Sequence, residues 1–201
     1  MSVVGFVAAV VVGYLLGTIP GAVVVTHLAT RGQVDIHSTG SGNPGAFNTF
    51  REVGKVWGVV VVVLDGGKAM IAGLLALVLV GDAAAYAAAT AAIAGHIWPV
   101  WPGLRGGKGV AAAGGAVLGV FPAFFPINLA VLAFGVAVSR NSRRAMLLGM
   151  ASWIVAAVLW TANDWTNWWG PDPGVGLIVF SVLGAGMVIV KFWLADRDPA
   201  G

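Results

Sequence analysis

The segment Asp35-Ile-His-Ser-Thr-Gly-Ser-Gly-Asn-Pro-Gly-Ala-Phe-Asn-Thr-Phe-Arg51 is polar and rich in glycine, and it lies between two long apolar runs. Its glycines allow the backbone to turn N–H groups inward without Cβ clashes, and such nests of amides attract phosphate oxygens. Serine and asparagine add neutral hydrogen bonds, and arginine adds a charged one. The predicted phosphate-binding residues of this first loop are Gly40, Ser41, Gly42, Asn43, Gly45, Asn48 and Arg51.

The composition around this segment is that of a membrane protein. Of the 201 residues, 59% are hydrophobic and only 9% are charged, and the mean hydropathy is +0.92. Soluble domains carry about 25% charged residues. We therefore expect an all-α integral membrane protein, with residues 1–201 forming one polytopic domain. The absence of cysteine excludes thiol catalysis and cysteine-ligated metals. No metal or cofactor is predicted, and no basic block suits a nucleic-acid partner.

The apolar runs predict about seven transmembrane helices. A spanning helix needs about 20 apolar residues, and fewer where it is partly buried in protein. The fourth run is short for a membrane crossing. The alternative is that Val110 to Val138 form one long helix. The predicted spans are residues 3–28, 56–80, 84–101, 109–121, 123–139, 145–161 and 174–194.

The distribution of charge decides between these alternatives. If residues 121–126 form a turn, one side of the membrane receives the basic residues and the other receives only Asp82, Asp164 and Asp172. This asymmetry follows the positive-inside tendency and predicts an N-terminus outside and a cytoplasmic C-terminus. The basic residues on the predicted cytoplasmic side are Arg31, Arg51, Lys55, Arg105, Lys108, Arg140, Arg143, Arg144, Lys191 and Arg197.

A second glycine-rich loop, Gly103-Leu-Arg-Gly-Gly-Lys-Gly-Val110, falls on the same predicted side. It sets Arg105 and Lys108 among glycines, including Gly106 and Gly107, at the start of a helix whose N-terminal dipole favours an anion. The alternative is small-residue packing with snorkelling cations. If the loop binds an anion, two loops distant in sequence converge on one substrate.

Three further ionisable residues lie in or beside the spans. His96 precedes the second loop and is a candidate base or phosphate donor, although a histidine at a helix end is often a cap. Asp65 and Lys68 are three residues apart and share a helix face. Ionisable residues within a span are costly, so the pair is a functional candidate by default, with a structural ion pair as the alternative.

Taken together, these motifs resemble the bacterial acyl-phosphate:glycerol-3-phosphate acyltransferases. That family's first motif is G-S-I-P followed by D-I-R-x-x-G-S-G-N-x-G-A-T-N-x-x-R, which is similar to Gly17-Thr-Ile-Pro20 and the segment from Asp35 to Arg51. Its second motif, G-H-x-x-P and F-K-G-G-K-G-V-A, is similar to Gly95-His-Ile-Trp-Pro99 and Leu104-Arg-Gly-Gly-Lys-Gly-Val-Ala111. An Asp-x-x-Lys pair is matched as well. The likeness covers about the first 120 residues.

Several positions depart from the family pattern. His27 and His37 stand where the family has a lysine and an arginine, and Phe47 stands where it has a threonine. The third motif survives as Ser139-Arg140, which makes Arg140 a further phosphate-binding candidate. The family's basic C-terminal run is replaced by Lys191-Phe-Trp-Leu-Ala-Asp-Arg-Asp198.

The resemblance implies transfer of a fatty acyl group from acyl phosphate to the 1-hydroxyl of glycerol 3-phosphate, giving lysophosphatidic acid and phosphate. It implies a multi-pass protein of the bacterial cell (inner) membrane whose active site faces the cytoplasm. The expected partners are the two substrates and membrane lipid. A mixed anhydride is already activated, so no enzyme nucleophile is required, and Lys108 and His96 are the expected catalytic residues. The hydroxyl proton goes either to His96 or to a substrate phosphate. The alternatives are a silent or altered-substrate homologue that binds lipid phosphate, and a transporter of a small anion.

Overall fold

The computed structural model describes residues 2–101, 103 and 105–197, without the side chains of residues 196 and 197. Leu104 of the second loop, Pro102 just before that loop, and the side chain of Arg197 therefore lie outside the described residues. The described chain is helical and contains nine α-helices. They are α1 (Val3–Gly17), α2 (Gly21–Thr30), α3 (Ala46–Glu52), α4 (Lys55–Leu79), α5 (Asp82–Ile97), α6 (Val110–Val120), α7 (Phe125–Ser139), α8 (Ser142–Asn163) and α9 (Val175–Arg197).

The first apolar run is broken, although the sequence predicts one continuous helix over residues 3–28. Helix α1 ends at Gly17 and α2 begins at Gly21. Pro20 has no N–H to donate and cannot continue the hydrogen-bond ladder. The carbonyl oxygen of Ile19, released by the break, accepts a hydrogen bond from Lys68 Nζ at 2.6 Å. A buried cation on a neighbouring helix therefore stabilises the break.

Five segments of the described chain are long and apolar enough to cross a membrane. The other two predicted spans correspond to α5 and α6, which rise only about 24 and 17 Å. The count of seven passes therefore stays a prediction. The five segments are Val3–Thr30, Lys55–Leu79, Pro122–Ser139, Ser142–Asn163 and Val175–Ala195.

The predicted interruption between the fourth and fifth spans is confirmed. Helix α6 ends at Val120, Pro122–Phe124 form a short 3-10 turn, and α7 begins at Phe125. The ring of Phe121 packs edge-on against Trp160 near the end of α8, with centroids 5.4 Å apart. A single helix from Val110 to Val138 is therefore excluded.

Helix α5 lies at the centre of the bundle, in contact with α1, α4, α6 and α9. The alanines on its packed faces are almost completely buried, namely Ala84, Ala85, Ala88, Ala89 and Ala92. Gly13 and Gly17 of α1 allow that helix to approach so closely that a Cβ at either position would collide with the backbone of Ala88 or Ala92. Small residues at such contacts are how helices associate closely in a membrane.

The two ends of the bundle differ in what they carry. At one end, the loop between α8 and α9 is held by Asn167, which donates to the carbonyl oxygens of Val120 (3.0 Å) and Pro171 (2.8 Å). Tyr86, near the start of α5, donates to Pro171 from its hydroxyl at 3.2 Å. Because the start of α5 and the end of α6 meet here, the second glycine-rich loop, which joins the other ends of these helices, lies at the opposite end.

Candidate active site

The first glycine-rich loop is folded around the side chain of Asn48, which is 3% exposed. Its Oδ1 accepts the N–H of Ser41 at 3.0 Å, and its Nδ2 donates to the carbonyl oxygens of Thr39 (2.9 Å) and Ile36 (3.3 Å). Both ends of the amide are therefore engaged within the loop. Asn48 therefore holds the shape of the loop, and its direct contact with phosphate stays a prediction.

Gly40 makes this arrangement possible. Its φ of 62° lies in the left-handed region, which side chains rarely adopt. A Cβ there would collide with Asn48 Oδ1 and lie 2.7 Å from the carboxylate of Glu52. The glycine at this position is therefore needed for both its backbone angle and its lack of a side chain.

The second loop lies directly against the end of α5 and against the first loop. A Cβ on Gly106 would collide with the carbonyl oxygens of His96 and Ile97. A Cβ on Gly107 would lie 2.6 Å from His96 Nε2 and 3.0 Å from the carbonyl oxygen of Pro44. These glycines bring the two loops together, as the sequence predicts.

Between the loops opens an outer basin of about 390 Å³. Its lining includes Ser41 and Asn43 from the first loop, Arg105 and Lys108 from the second, and Lys191 from α9. Lys108 Nζ lies 4.8 Å from the centroid of the Phe192 ring, also on α9. Among the described residues that line the basin, three are cationic and none is a carboxylate. The basin therefore suits a small anion.

Deeper in the bundle lies a small inner cavity of about 20 Å³. The break between α1 and α2 forms one wall, and His96, Asp65 and Lys68 contribute buried ionisable side chains. Arg105 lines both the cavity and the basin. The two spaces are therefore adjacent compartments of one site.

Asp65, Lys68 and His96 form a buried cluster in the inner cavity, with residue exposures of 1%, 8% and 8%. Asp65 Oδ1 lies 3.0 Å from Lys68 Nζ and 3.5 Å from His96 Nδ1. One carboxylate oxygen thus faces two nitrogen partners. The Asp65–Lys68 ion pair, for which the sequence leaves both a structural and a functional role open, therefore lines the same cavity as His96, the candidate base.

Other predicted residues lie elsewhere. The Arg51 guanidinium is 5.9 Å from the centroid of the Phe47 ring, and Arg140 ends α7 with a φ of 48°. Neither lines the basin or the cavity, and neither do Gly40 and Gly45, which lie within the fold of the first loop.

Sequence reasoning missed two contributors to the site. Lys191 is a single lysine in an apolar helix, and only the path of α9 shows that it reaches the basin. The broken segment Thr18–Pro20 lines the inner cavity. Pro20 within the first apolar run was the signal that could have revealed the break.

The apolar spans, the small-residue packing and the cationic basin between the two loops define an integral membrane protein with a candidate anion-binding site at one end of its helix bundle. The family model described as "Glycerol-3-phosphate acyltransferase" matches residues 7–195. The chain belongs to this family of acyltransferases, which confirms the resemblance of its motifs.

Individual relatives agree with this assignment. The glycerol-3-phosphate acyltransferase 1 of Dehalococcoides mccartyi is 37% identical over 200 residues, covering 94% of this chain and 90% of the relative. The glycerol-3-phosphate acyltransferase of Maricaulis maris is 39% identical over 160 residues, covering 78% of this chain and 72% of the relative.

Two solved structures have the same fold. Both are of PlsY (YgiH), an integral membrane glycerol 3-phosphate acyltransferase, one in a glycerol 3-phosphate form and one in a lysophosphatidic acid form. Each superposes with a TM-score of 0.77 and covers 96% of this chain and 90% of its own, at 27% and 28% identity respectively.

Proposed function

We propose that this protein transfers a fatty acyl group from acyl phosphate to the 1-hydroxyl of glycerol 3-phosphate, giving lysophosphatidic acid and phosphate in phospholipid synthesis. The observation that carries the proposal is the meeting of the two glycine-rich loops around one cationic basin that adjoins a buried polar cavity. The family and the forms in which the PlsY structures were solved support glycerol 3-phosphate as the acceptor.

The charges of the site fit two phosphorylated substrates. Each phosphate brings between one and two negative charges near neutral pH. Arg105, Lys108 and Lys191 supply three positive charges around the basin, and Lys68 supplies one more in the cavity, where Asp65 offsets it. An excess of positive charge in a partly dehydrated site stabilises both phosphates and the negative charge that develops on the acyl oxygen.

The three cations of the basin suggest a division of labour. We place the phosphate of glycerol 3-phosphate near Lys191, with hydrogen bonds from Ser41 and Asn43. The head of acyl phosphate lies nearer Lys108 and Arg105, at the side of the basin that adjoins the inner cavity. The acyl tail remains in a groove facing the bilayer. This arrangement aligns the hydroxyl with the carbonyl, which is the main task when the donor is already activated.

Direct attack requires no covalent enzyme intermediate. The hydroxyl oxygen bonds to the acyl carbon, the bond from that carbon to the phosphate oxygen breaks, and the hydroxyl proton passes to His96 or to an oxygen of a substrate phosphate. Lys108 stabilises the departing phosphate. Arg51 and Arg140 line neither space, and their phosphate-binding roles stay predictions.

The proposed topology is one polytopic domain over residues 1–201 with seven passes, the N-terminus outside and the C-terminus in the cytoplasm. Helices α5 and α6 are short, but their extensive burial within the bundle shields them from lipid, so fewer apolar residues suffice. The basic residues at the loop end then face the cytoplasm of a bacterium, and the active site opens at the inner leaflet of its cell membrane.

Purified protein reconstituted in lipid and supplied with acyl phosphate and glycerol 3-phosphate tests the function. We expect lysophosphatidic acid and free phosphate to form together, and Lys108→Ala to reduce the rate strongly. Formation of no more product by the unmodified protein than by Lys108→Ala would contradict the proposal. Uptake of glycerol 3-phosphate into proteoliposomes without an acyl donor would instead favour a transporter.

A further inference from the structure

The short helix α3 lies level with the ends of the two apolar segments beside it, and not beyond them. Its first residue, Ala46, packs against a buried cluster that includes Val25 of α2 and Val61 of α4. Val61 lies about 9 Å along α4 from its start at Lys55, and Val25 lies about 8 Å before the end of α2. Both helices belong to segments that are long and apolar enough to cross a membrane. Helix α3 therefore reaches the depth of the terminal turns of these segments.

Two glycines hold α3 against α4. Gly54, whose φ is 139°, forms the sharp turn between the two helices. A Cβ on Gly58 would collide with the backbone and Cβ of Phe50, so this glycine allows α3 to approach α4 closely. The inward face of α3 carries Asn48 and Thr49, which are 3% and 0% exposed. The orientation of α3 is therefore fixed, and its other face points away from the bundle.

The outward face of α3 is apolar. Phe47 and Phe50 are three residues apart, so they share a helix face, and they are 71% and 40% exposed. In the first turn of α4, Val56 and Trp57 are 72% and 40% exposed. These four side chains form what we call the α3 surface. Because α4 is itself a candidate membrane span, the α3 surface continues a face that lipid covers.

We propose that α3 is inserted in the membrane interface and that the partner of the α3 surface is the lipid of the leaflet in which α4 begins. An amphipathic helix at a membrane surface buries its apolar face about 5–10 Å into the boundary between headgroups and acyl chains. The packing of Ala46 against α2 and α4 places α3 at this depth. Trp57 suits the same layer, where tryptophan is enriched.

The polar edge of α3 suits this position as well. The Arg51 guanidinium lies 5.9 Å from the centroid of the Phe47 ring, and Lys55 is exposed at the start of α4. Long cationic side chains keep their apolar stems along such a surface while their charged ends reach the headgroups. The α3 surface therefore has the apolar face and the cationic edge of an interfacial helix.

Insertion of α3 sets the height of the first glycine-rich loop relative to the membrane. Asn48 of α3 accepts the N–H of Ser41, a residue that lines the outer basin. The basin then opens at the level of the lipid headgroups, where a ligand with both a phosphate and an acyl chain enters without leaving the bilayer. The lipid contact itself does not depend on acyl transfer, so its test reads contact with lipid alone.

Spin labels measure the depth of α3 directly. The chain has no cysteine, so Phe47→Cys carries a single nitroxide when the protein is reconstituted in vesicles of phosphatidylethanolamine and phosphatidylglycerol. Val63→Cys on the exposed face of α4 is the lipid control, and Gln33→Cys, exposed beyond the end of α2, is the water control. We expect the label at position 47 to collide more often with oxygen, which concentrates in lipid, than with a water-soluble nickel chelate. A preference for the nickel chelate equal to that at position 33 would overturn the proposal.

Photocrosslinking identifies the partner of the α3 surface without a change from aromatic to polar. Benzoylphenylalanine in place of Phe47 keeps an aromatic ring, and the same replacement of Gln33 is the matched control. After illumination in the same vesicles, we expect the chain to gain the mass of one phospholipid at position 47 much more often than at position 33. Crosslinking mainly to a second copy of the chain, or no more lipid adduct than at position 33, would overturn the proposal and would leave the acyltransferase function in place.

Discussion

Replacing Gly107 with alanine would drive a methyl group against the imidazole of His96. The added Cβ would lie 2.6 Å from Nε2, about 0.8 Å closer than the 3.4 Å at which ordinary contact begins. The other side offers little relief, because the carbonyl oxygen of Pro44 would lie only 3.0 Å from the same carbon. Either the imidazole or the loop carrying Lys108 must therefore shift by most of an ångström.

A misplacement of about 1 Å in an active site can cost about 100-fold in rate. We therefore expect Gly107→Ala to lower kcat by about 100-fold, which corresponds to a loss of about 2.8 kcal/mol of transition-state stabilisation. The assay is release of phosphate from acyl phosphate in the presence of saturating glycerol 3-phosphate, with the enzyme in lipid or detergent. Thermal unfolding of the same sample shows whether the fold is retained.

Gly114→Ala in α6 is the matched control. A Cβ at Gly114 would meet nothing within 4 Å, and the residue lies inside a helix, where alanine is the better helix former. We expect this control to retain activity within about twofold. A folded Gly107→Ala variant with a kcat within threefold of the unmodified enzyme would refute the close packing of the second loop on His96 as a determinant of catalysis.

Three further substitutions test the outer basin and the loop. Lys191→Met should raise KM for glycerol 3-phosphate by about tenfold with little change in kcat, since a partly solvated charged hydrogen bond is worth about 1–2 kcal/mol. Lys191→Arg keeps the charge and should restore much of the affinity. Equal KM values for the unmodified protein and both variants would contradict a role for Lys191 in binding the phosphate. Asn48→Ala removes three hydrogen bonds of the first loop and should lower the free energy of unfolding by about 2–3 kcal/mol. The measurement is the midpoint of chemical unfolding, which should fall. An unchanged midpoint would exclude the role of Asn48 in holding the loop. Phe192→Leu removes the ring whose centroid lies 4.8 Å from Lys108 Nζ. It should raise KM for acyl phosphate by about two- to fourfold, because a partly exposed cation–π contact is worth about 0.5–1 kcal/mol. An unchanged KM for acyl phosphate would show that the ring does not position the lysine.

The meeting of the two loops could be predicted from the sequence because charge and length constrain it. Only a reversal near residues 121–126 places the later cations with Arg105 and Lys108, and the structure breaks the helix at Phe121–Phe124. Because both glycine-rich loops then fall on the same side of the membrane, the sequence predicts that they share one site. Span boundaries were close for the same reason, since α4 covers Lys55–Leu79 where residues 56–80 were predicted.

The break in the first span shows what apolar composition conceals. Apolar residues continue on both sides of Pro20, so the run looks continuous, and the stabilising partner of the freed Ile19 carbonyl lies 49 residues away at Lys68. Asn48 illustrates a related limit. An asparagine in a polar loop can bind a ligand or the loop itself, and only the fold shows that its amide is used internally.

The structure shows which basic residues line the basin. His27 and His37, which replace family cations, do not line the basin or the cavity. Lys191 does line the basin, although nothing in the periodicity of an apolar helix shows which loop its end will meet. We infer that Lys191 contributes more to the charge of the basin than either histidine.

Acyl transfer from acyl phosphate to glycerol 3-phosphate is tested most directly by the ratio of the two products, lysophosphatidic acid and phosphate, formed from a defined donor. Reconstituted enzyme given acyl phosphate should form lysophosphatidic acid and phosphate in equal amounts, and an acyl thioester, which lacks the phosphate head, should give neither. Transfer from the thioester but not from acyl phosphate, or phosphate release without lysophosphatidic acid, would contradict the account.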